Sequence, residues 1–250
     1  MDEVFKIGLI GYPVSHSASP QIFGEIFKNN HITKGSYHLY PIETLDNIIS
    51  FVLEHPNLIG FNVTVPHKQN ILPYLTSISE HAQKIGAVNT VKIIRKNSGI
   101  SLEGHNTDYY GFEASMLNLP KRPNQAMILG DGGAAKAVKA VLTDMQIPYL
   151  SVSRNPNSDQ LSYEDLNDHD WQENTLIVQT TPVGMFPNVH DTLNLPYQFL
   201  PNSTMAIELI YNPKQSLFLK KIKANDCFFM NGELMLQKQA EMAWEIFIQS

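Results

Sequence analysis

Short apolar runs alternate along this chain with stretches whose apolar residues recur at helical spacing, the rhythm of an α/β protein. Residues 4–10 form an apolar run that stops at Gly11 and predicts a strand. Ile22, Phe23, Ile26 and Phe27 then share one helical face, entered through Ser19 as a cap and Pro20 as a first helical residue. A strand is expected over 37–41 and a helix over 45–53. Leu58-Ile59-Gly60-Phe61 opens a buried strand that runs into Asn62-Val63-Thr64-Val65-Pro66-His67-Lys68. There Asn62 and Thr64 point to one face and Val63 and Val65 to the other, Pro66 ends the ladder, and Lys68 opens a helix. Helical segments at 71–74 and 78–85, a strand over 86–94, a turn at 95–99 and a returning strand at 100–102 complete a part with mixed strand directions.

The remainder repeats strand and helix more regularly. Gly104-His105-Asn106-Thr107-Asp108 opens a helix through Phe112, Met116 and Leu117. Residues 126–129 form a strand, Gly130-Asp131-Gly132-Gly133-Ala134-Ala135 a turn, and Val138, Val141 and Leu142 mark a helix. Further strands are expected at 149–153, 176–178, 205–207 and 227–230, all parallel. The last helix follows Asn231-Gly232 and carries Met235, Gln239, Met242 and Ile246 on one face, with Gln239 its polar intruder.

Composition narrows the class. The 250 residues can bury one large core or two modest ones. Lys+Arg 18 against Asp+Glu 24 gives a net charge of −6 without a basic cluster, which argues against nucleic acid. The single cysteine, Cys227, excludes an internal disulfide and a cysteine-based zinc site. None of the nine histidines stands in an H-x-x-x-H pair, so no metal is expected. The N-terminus lacks a basic leader and no apolar run reaches the roughly 18 residues of a membrane span, so a cytoplasmic protein is expected.

Candidate chemistry collects at strand ends. Ser17 and Ser19 lie where a helix N-terminus favours an anion, although either could serve only as a cap. Lys68 and Asp108 both sit at strand-to-helix junctions, where open α/β sheets bind ligands; Asp108 read alone fits a first-turn acid equally well. The turn 130–135 matches the G-x-G-x-x-A dinucleotide fingerprint: Gly130 for the turn, Gly132 for approach to the diphosphate, Ala135 for packing. The following strand ends in Ser153-Arg154-Asn155, without the acid an NAD site needs about 20 residues on, and a guanidinium suits a 2′-phosphate. The expected cofactor is therefore NADP(H). Asp131 is discordant beside a diphosphate unless its carboxylate points away.

Taken together, Ser17 and Ser19, N-V-T-V-P-H-K, G-A-V-N-T at 86–90, N-T-D at 106–108, the glycine turn, and N-G-x-x-M-L-x-x-Q-A at 231–240 resemble shikimate dehydrogenase over nearly the whole chain. That resemblance implies NADPH-dependent reduction of 3-dehydroshikimate to shikimate, on the way to aromatic amino acids. It also implies an N-terminal mixed-sheet substrate domain over 1–104 with 231–250, a Rossmann domain over 105–230, and an active site in the cleft between them. By the same carry-over, Ser17 and Ser19 bind the substrate carboxylate, and Thr64, Asn89, Asp108 and Gln239 its hydroxyls. Lys68 and Asp108 form the catalytic pair. Gly130, Gly132, Gly133 and Ala134 cradle the diphosphate and Arg154 the 2′-phosphate. Thr180 and Met185 lie near ribose and nicotinamide, and Tyr211, Gly232 and Met235 line the nicotinamide and substrate side. The sequence departs from the family pattern at Asp131, at Ser153-Arg154-Asn155, at Gln179-Thr180-Thr181 and at Ser216-Leu217. A quinate/shikimate dehydrogenase and a catalytically silent dinucleotide-binding protein remain as alternatives, and a monomer or homodimer is expected.

Overall fold

The computed structural model describes residues 4–97 and 99–249, so Ser98 in the turn at 95–99 lies outside the described residues. The chain divides into two compact units, residues 1–110 with 237–250, and residues 111–236. The boundaries fall six residues beyond the expected ones at both places, each inside a helix.

In the first unit the order is β1 (Phe5–Gly11), α1 (Ser19–Asn29), β2 (Gly35–Pro41), α2 (Ile48–Glu54), β3 (Leu58–Val63), α3 (His67–Asn70), β4 (Ser77–Ile78), α4 (Glu80–Ile85), β5 (Thr90–Lys96) and β6 (Gly99–His105). They build one six-stranded sheet in the order β2-β1-β3-β5-β6-β4. β1 pairs in parallel with β2 and β3, while β5 runs antiparallel to both β3 and β6, so the sheet is mixed. Alternation along β1 serves two cores. Phe5 and Ile7 pack with Phe23, Phe27, Trp244 and Phe247. Ile10 packs with Ile48, Val52, Leu58, Phe61 and Val91.

α5 (Asp108–Leu117) carries the chain into the second unit, built from β7 (Gln125–Leu129), α6 (Gly133–Asp144), β8 (Tyr149–Val152), β9 (Gln160–Leu161), β10 (Thr175–Gln179), β11 (Met205–Glu208), α7 (Leu217–Lys223) and β12 (Phe228–Met230). All six strands are parallel, in the order β12-β11-β10-β7-β8-β9. The chain reverses its direction of travel across the sheet between β7 and β10, beside the glycine turn, the place where doubly wound sheets bind ligands. α8 (Glu233–Ile248) closes the sequence. Among the described residues no helix is long and apolar enough to cross a membrane.

Two local expectations change, and the structure adds short elements that were not expected. Residues 86–89 are not strand: Gly86, at φ +69°, ends α4 in the left-handed region, and the ladder begins only at Thr90. Ser19 is not the cap of α1. Ala18 holds that position without a side-chain bond, and Ser17 Oγ instead accepts the Ser19 N–H at 3.2 Å. β4 and β9 are two residues each, too short to show a period. α7 is set by Ser216, whose hydroxyl accepts the Leu219 N–H, and it buries Phe218, Leu219 and Ile222.

Candidate active site

The end of β3 and the start of α5 bring Lys68 and Asp108 together. Lys68 Nζ donates to Asp108 Oδ2 at 2.5 Å, across forty residues of sequence. Asn89 Nδ2 donates to the other oxygen, Asp108 Oδ1, at 2.9 Å. Both carboxylate oxygens are thus held by side chains, which a capping role alone does not need. The Asn89 oxygen accepts the Thr107 N–H at 2.7 Å, and Thr107 Oγ1 also reaches Gln239 Oε1 at 3.3 Å. Lys68, Asn89, Asp108 and Gln239 therefore belong to one connected polar group in the first unit. Asn62 takes no part as a free donor. Its amide is buried and gives its protons to the Asn89 carbonyl at 3.3 Å and to Thr90 Oγ1 at 3.0 Å.

Thr64 leaves the ladder after β3, with its N–H on the Ile10 carbonyl and its own carbonyl accepting the His67 N–H, both at 2.9 Å. His67 is buried beside Lys68, its Nε2 2.6 Å from the Ile42 carbonyl, which ties the short helix α3 to the end of β2. Ser17 and Ser19 share a hydroxyl–hydroxyl bond of 3.1 Å at the start of α1. Ser19 is half-buried there and Ser17 similarly so in the bond they share.

In the second unit the glycine turn lies at the end of β7. Gly130 has φ +106°, and a Cβ there would stand 2.7 Å from Thr181 and 2.8 Å from the Thr180 hydroxyl. Only glycine fits. At Gly132 and Gly133 a Cβ would meet nothing within 4 Å, so no protein atom demands glycine there. Open space at these two positions, and a helix α6 whose first turn has no side-chain cap, fit a diphosphate held by backbone N–H groups. Ala134 is half-buried in that first turn. Thr180 donates its hydroxyl to the Leu129 carbonyl at 2.8 Å and so pins the end of β7. Arg154 and Met185 are exposed.

Asp131 is paired within the second unit. Its carboxylate turns to Lys139 Nζ at 2.5 Å and Gln160 Nε2 at 2.8 Å, and the lysine holds its pKa below the usual carboxylate range. The departure at Gln179 also has a local reason. Its buried side chain accepts the Thr181 N–H at 2.7 Å and donates to the Val183 carbonyl at 3.1 Å, folding the loop after β10. Gly232 has a packing reason as well, since a Cβ would lie 2.2 Å from the Leu209 carbonyl oxygen. Tyr211 is half-buried and Met235 buried on the neighbouring stretches.

Sequence reasoning missed Glu208. It ends β11 fully buried, and Ser216 donates to its Oε1 at 2.7 Å. Burial pushes its carboxyl up to about 7, with the Ser216 bond opposing. An acid closing an apolar run, eight residues before a serine cap, was the available signal. Thr90 and Thr107 were missed too, although both stand inside the motifs quoted above.

A parallel sheet that reverses order beside such a turn makes the second unit a Rossmann-type dinucleotide-binding fold. Residues 9–91 match the model of the shikimate dehydrogenase substrate binding domain. The chain is 38% identical to the shikimate dehydrogenase (NADP(+)) of Clostridium beijerinckii, over 96% of this chain and 90% of that protein. Among solved structures, a chorismate mutase/shikimate 5-dehydrogenase fusion protein from Clostridium acetobutylicum aligns with a TM-score of 0.84 at 35% identity, covering 98% of this chain and 91% of that one. Shikimate 5-dehydrogenase from Thermus thermophilus, in complex with NADP(H) and shikimate, aligns at 0.82 with 28% identity, over 98% and 93%. This chain belongs to the shikimate dehydrogenase family.

Proposed function

We propose that this protein is an NADP(H)-dependent oxidoreductase that interconverts 3-dehydroshikimate and shikimate in aromatic amino-acid biosynthesis. The observation that carries the reading is the Lys68–Asp108 pair at 2.5 Å, with Asn89 holding the second carboxylate oxygen. The bound nicotinamide supplies the hydride, or takes it up in the reverse direction. Reduction builds negative charge on the ketone oxygen. Lys68 Nζ donates a hydrogen bond to that oxygen and delivers the proton that makes the alcohol. Asp108 orients the ammonium and accepts from a ring hydroxyl. Thr64, Asn89 and Gln239 serve the other hydroxyls, and Ser17 with Ser19 the carboxylate. Gly130, Gly132, Gly133 and Ala134 hold the diphosphate, Arg154 the 2′-phosphate, Thr180 and Met185 lie near the ribose and nicotinamide, Gly232 and Met235 line the nicotinamide side, and Tyr211 faces the substrate. The domain division into residues 1–104 with 231–250 for substrate and 105–230 for cofactor belongs to the same reading. So do a cytoplasmic place, a small-molecule substrate without nucleic acid or membrane, and a monomer or homodimer.

The test is one assay: the purified chain with shikimate and NADP⁺, followed by the absorbance of reduced nicotinamide. Turnover is expected. Faster turnover of quinate, or with NAD⁺, would point to the quinate/shikimate enzyme instead. NADP⁺ binding without turnover of either alcohol would leave the silent dinucleotide-binding protein.

A further inference from the structure

Tyr37 has no role in the reading above, yet its hydroxyl donates to the Asn62 amide that supports Asn89. Its ring stacks on Phe23 with centroids 4.4 Å apart. Desolvation pushes the phenol far above its ordinary pKa, against a bond from Ser19, so the hydroxyl keeps its proton.

The direction of the amide bonds beyond it is set by groups that can act in one sense only. Asn62 Nδ2 lies 3.3 Å from the Asn89 carbonyl, which only accepts, so Asn62 Oδ1 faces Tyr37 and takes its proton at 3.0 Å. The same Asn62 amide donates to Thr90 Oγ1 at 3.0 Å, and Thr90, fully buried, has its own proton within reach of Asn89 Oδ1 at 3.1 Å and of Thr107 Oγ1 at 3.2 Å, which itself lies 3.2 Å from Asn89 Oδ1. Asn89 Oδ1 also accepts the Thr107 N–H, a pure donor, at 2.7 Å. The Asn89 amide cannot flip, and its NH₂ must face Asp108 Oδ1.

We propose that Tyr37 and Thr90 are positioning residues: with Asn62 they form a hydrogen-bond relay from the Tyr37 hydroxyl to Asn89, which fixes the Asp108 carboxylate for Lys68. Only its kinetic consequence rests on the function proposed above.

Tyr37→Phe keeps the ring and its stacking and removes one hydroxyl. Thr90→Val removes the second, and Thr90→Ser keeps it. Tyr37→Phe and Thr90→Val should each lower kcat by about tenfold with the KM for NADP⁺ unchanged, and Thr90→Ser should return kcat to within about twofold of the parent. The ¹⁵N-resolved side-chain amide protons of Asn89 should shift and lose exchange protection in the first two variants but not in the third. If Tyr37→Phe and Thr90→Val keep kcat within about twofold and leave the Asn89 signals in place, the relay is wrong. Thr90→Ser behaving like Thr90→Val would also overturn it. Should Tyr37→Phe fail to fold, the two Thr90 variants decide. If the parent protein turns over no shikimate, the functional reading fails instead, and the Asn89 signals alone judge the relay.

Discussion

The two units are equipped for recognition by opposite means. In the first, the candidate site is made of side chains already tied to one another: Asp108 by Lys68 and Asn89, Asn89 by Thr107 and Thr90, Thr107 by Gln239. In the second, the glycine turn offers almost no side chain. Gly132 and Gly133 border open space, and the one carboxylate in the turn is drawn aside by Lys139 and Gln160. A hydroxylated ring must be read by donors and acceptors at fixed angles, and buried polar groups hold those angles only when every one has a partner. A diphosphate needs room and a positive field, which backbone N–H groups supply once side chains are absent. The first region should therefore be sensitive to loss of single atoms, and the second to gain or loss of charge.

Substitutions can break this contrast. Lys68→Ala should lower kcat by about a thousandfold while the KM for NADP⁺ stays put, read from steady-state kinetics in both substrates. Asp108→Asn keeps the shape and should lower kcat by about a hundredfold. A fall in melting temperature with kcat intact would instead reduce Asp108 to a first-turn acid. In the second unit, Arg154→Ala should raise the KM for NADP⁺ by roughly tenfold and narrow the preference over NAD⁺, with kcat little changed.

The smallest effect concerns stability. Burial raises the Glu208 carboxyl to about 7 from its ordinary value of 4.5, so the fold favours its protonated form. Its contribution is complete below the unfolded value and is lost as pH rises through the folded one. The thermal stability of the parent should accordingly fall as pH rises from about 4.5 to about 7 and level off above, and Glu208→Gln should remove that part of the slope, by roughly a few degrees. Equal slopes for the two proteins would place the loss elsewhere.

Much of this is legible in the order of residues alone. Apolar runs such as 126–129 and 176–178 are strands because a strand buried on both faces has no polar alternation to disguise it. The glycine turn announces itself because backbone approach leaves a composition signal. The stretch 86–89 misleads, since Ala87-Val88 looks like the start of a strand, while the left-handed Gly86 delays the ladder to Thr90. That delay puts Asn89 in the loop before β5. Asp131 is legible only as a discord, because its partners lie eight and twenty-nine residues on.

The sequence by itself determined the order of the longer strands and most helices, the glycine turn, and the residue types at each strand end, including Lys68, Asn89 and Asp108, but not β4, β9 or α7. Those follow from periodicity and local backbone needs, which act over a few residues. Only the tertiary structure decided the partners of Asn62, Asn89 and Asp108, the pairing of Gln179 with its own loop and of Glu208 with Ser216, and that Tyr37 meets Asn62. Those facts depend on groups brought to about 3 Å of one another. The Tyr37–Asn62 and Thr107–Gln239 partners come from segments 25 and 132 residues apart, a distance that no local pattern spans.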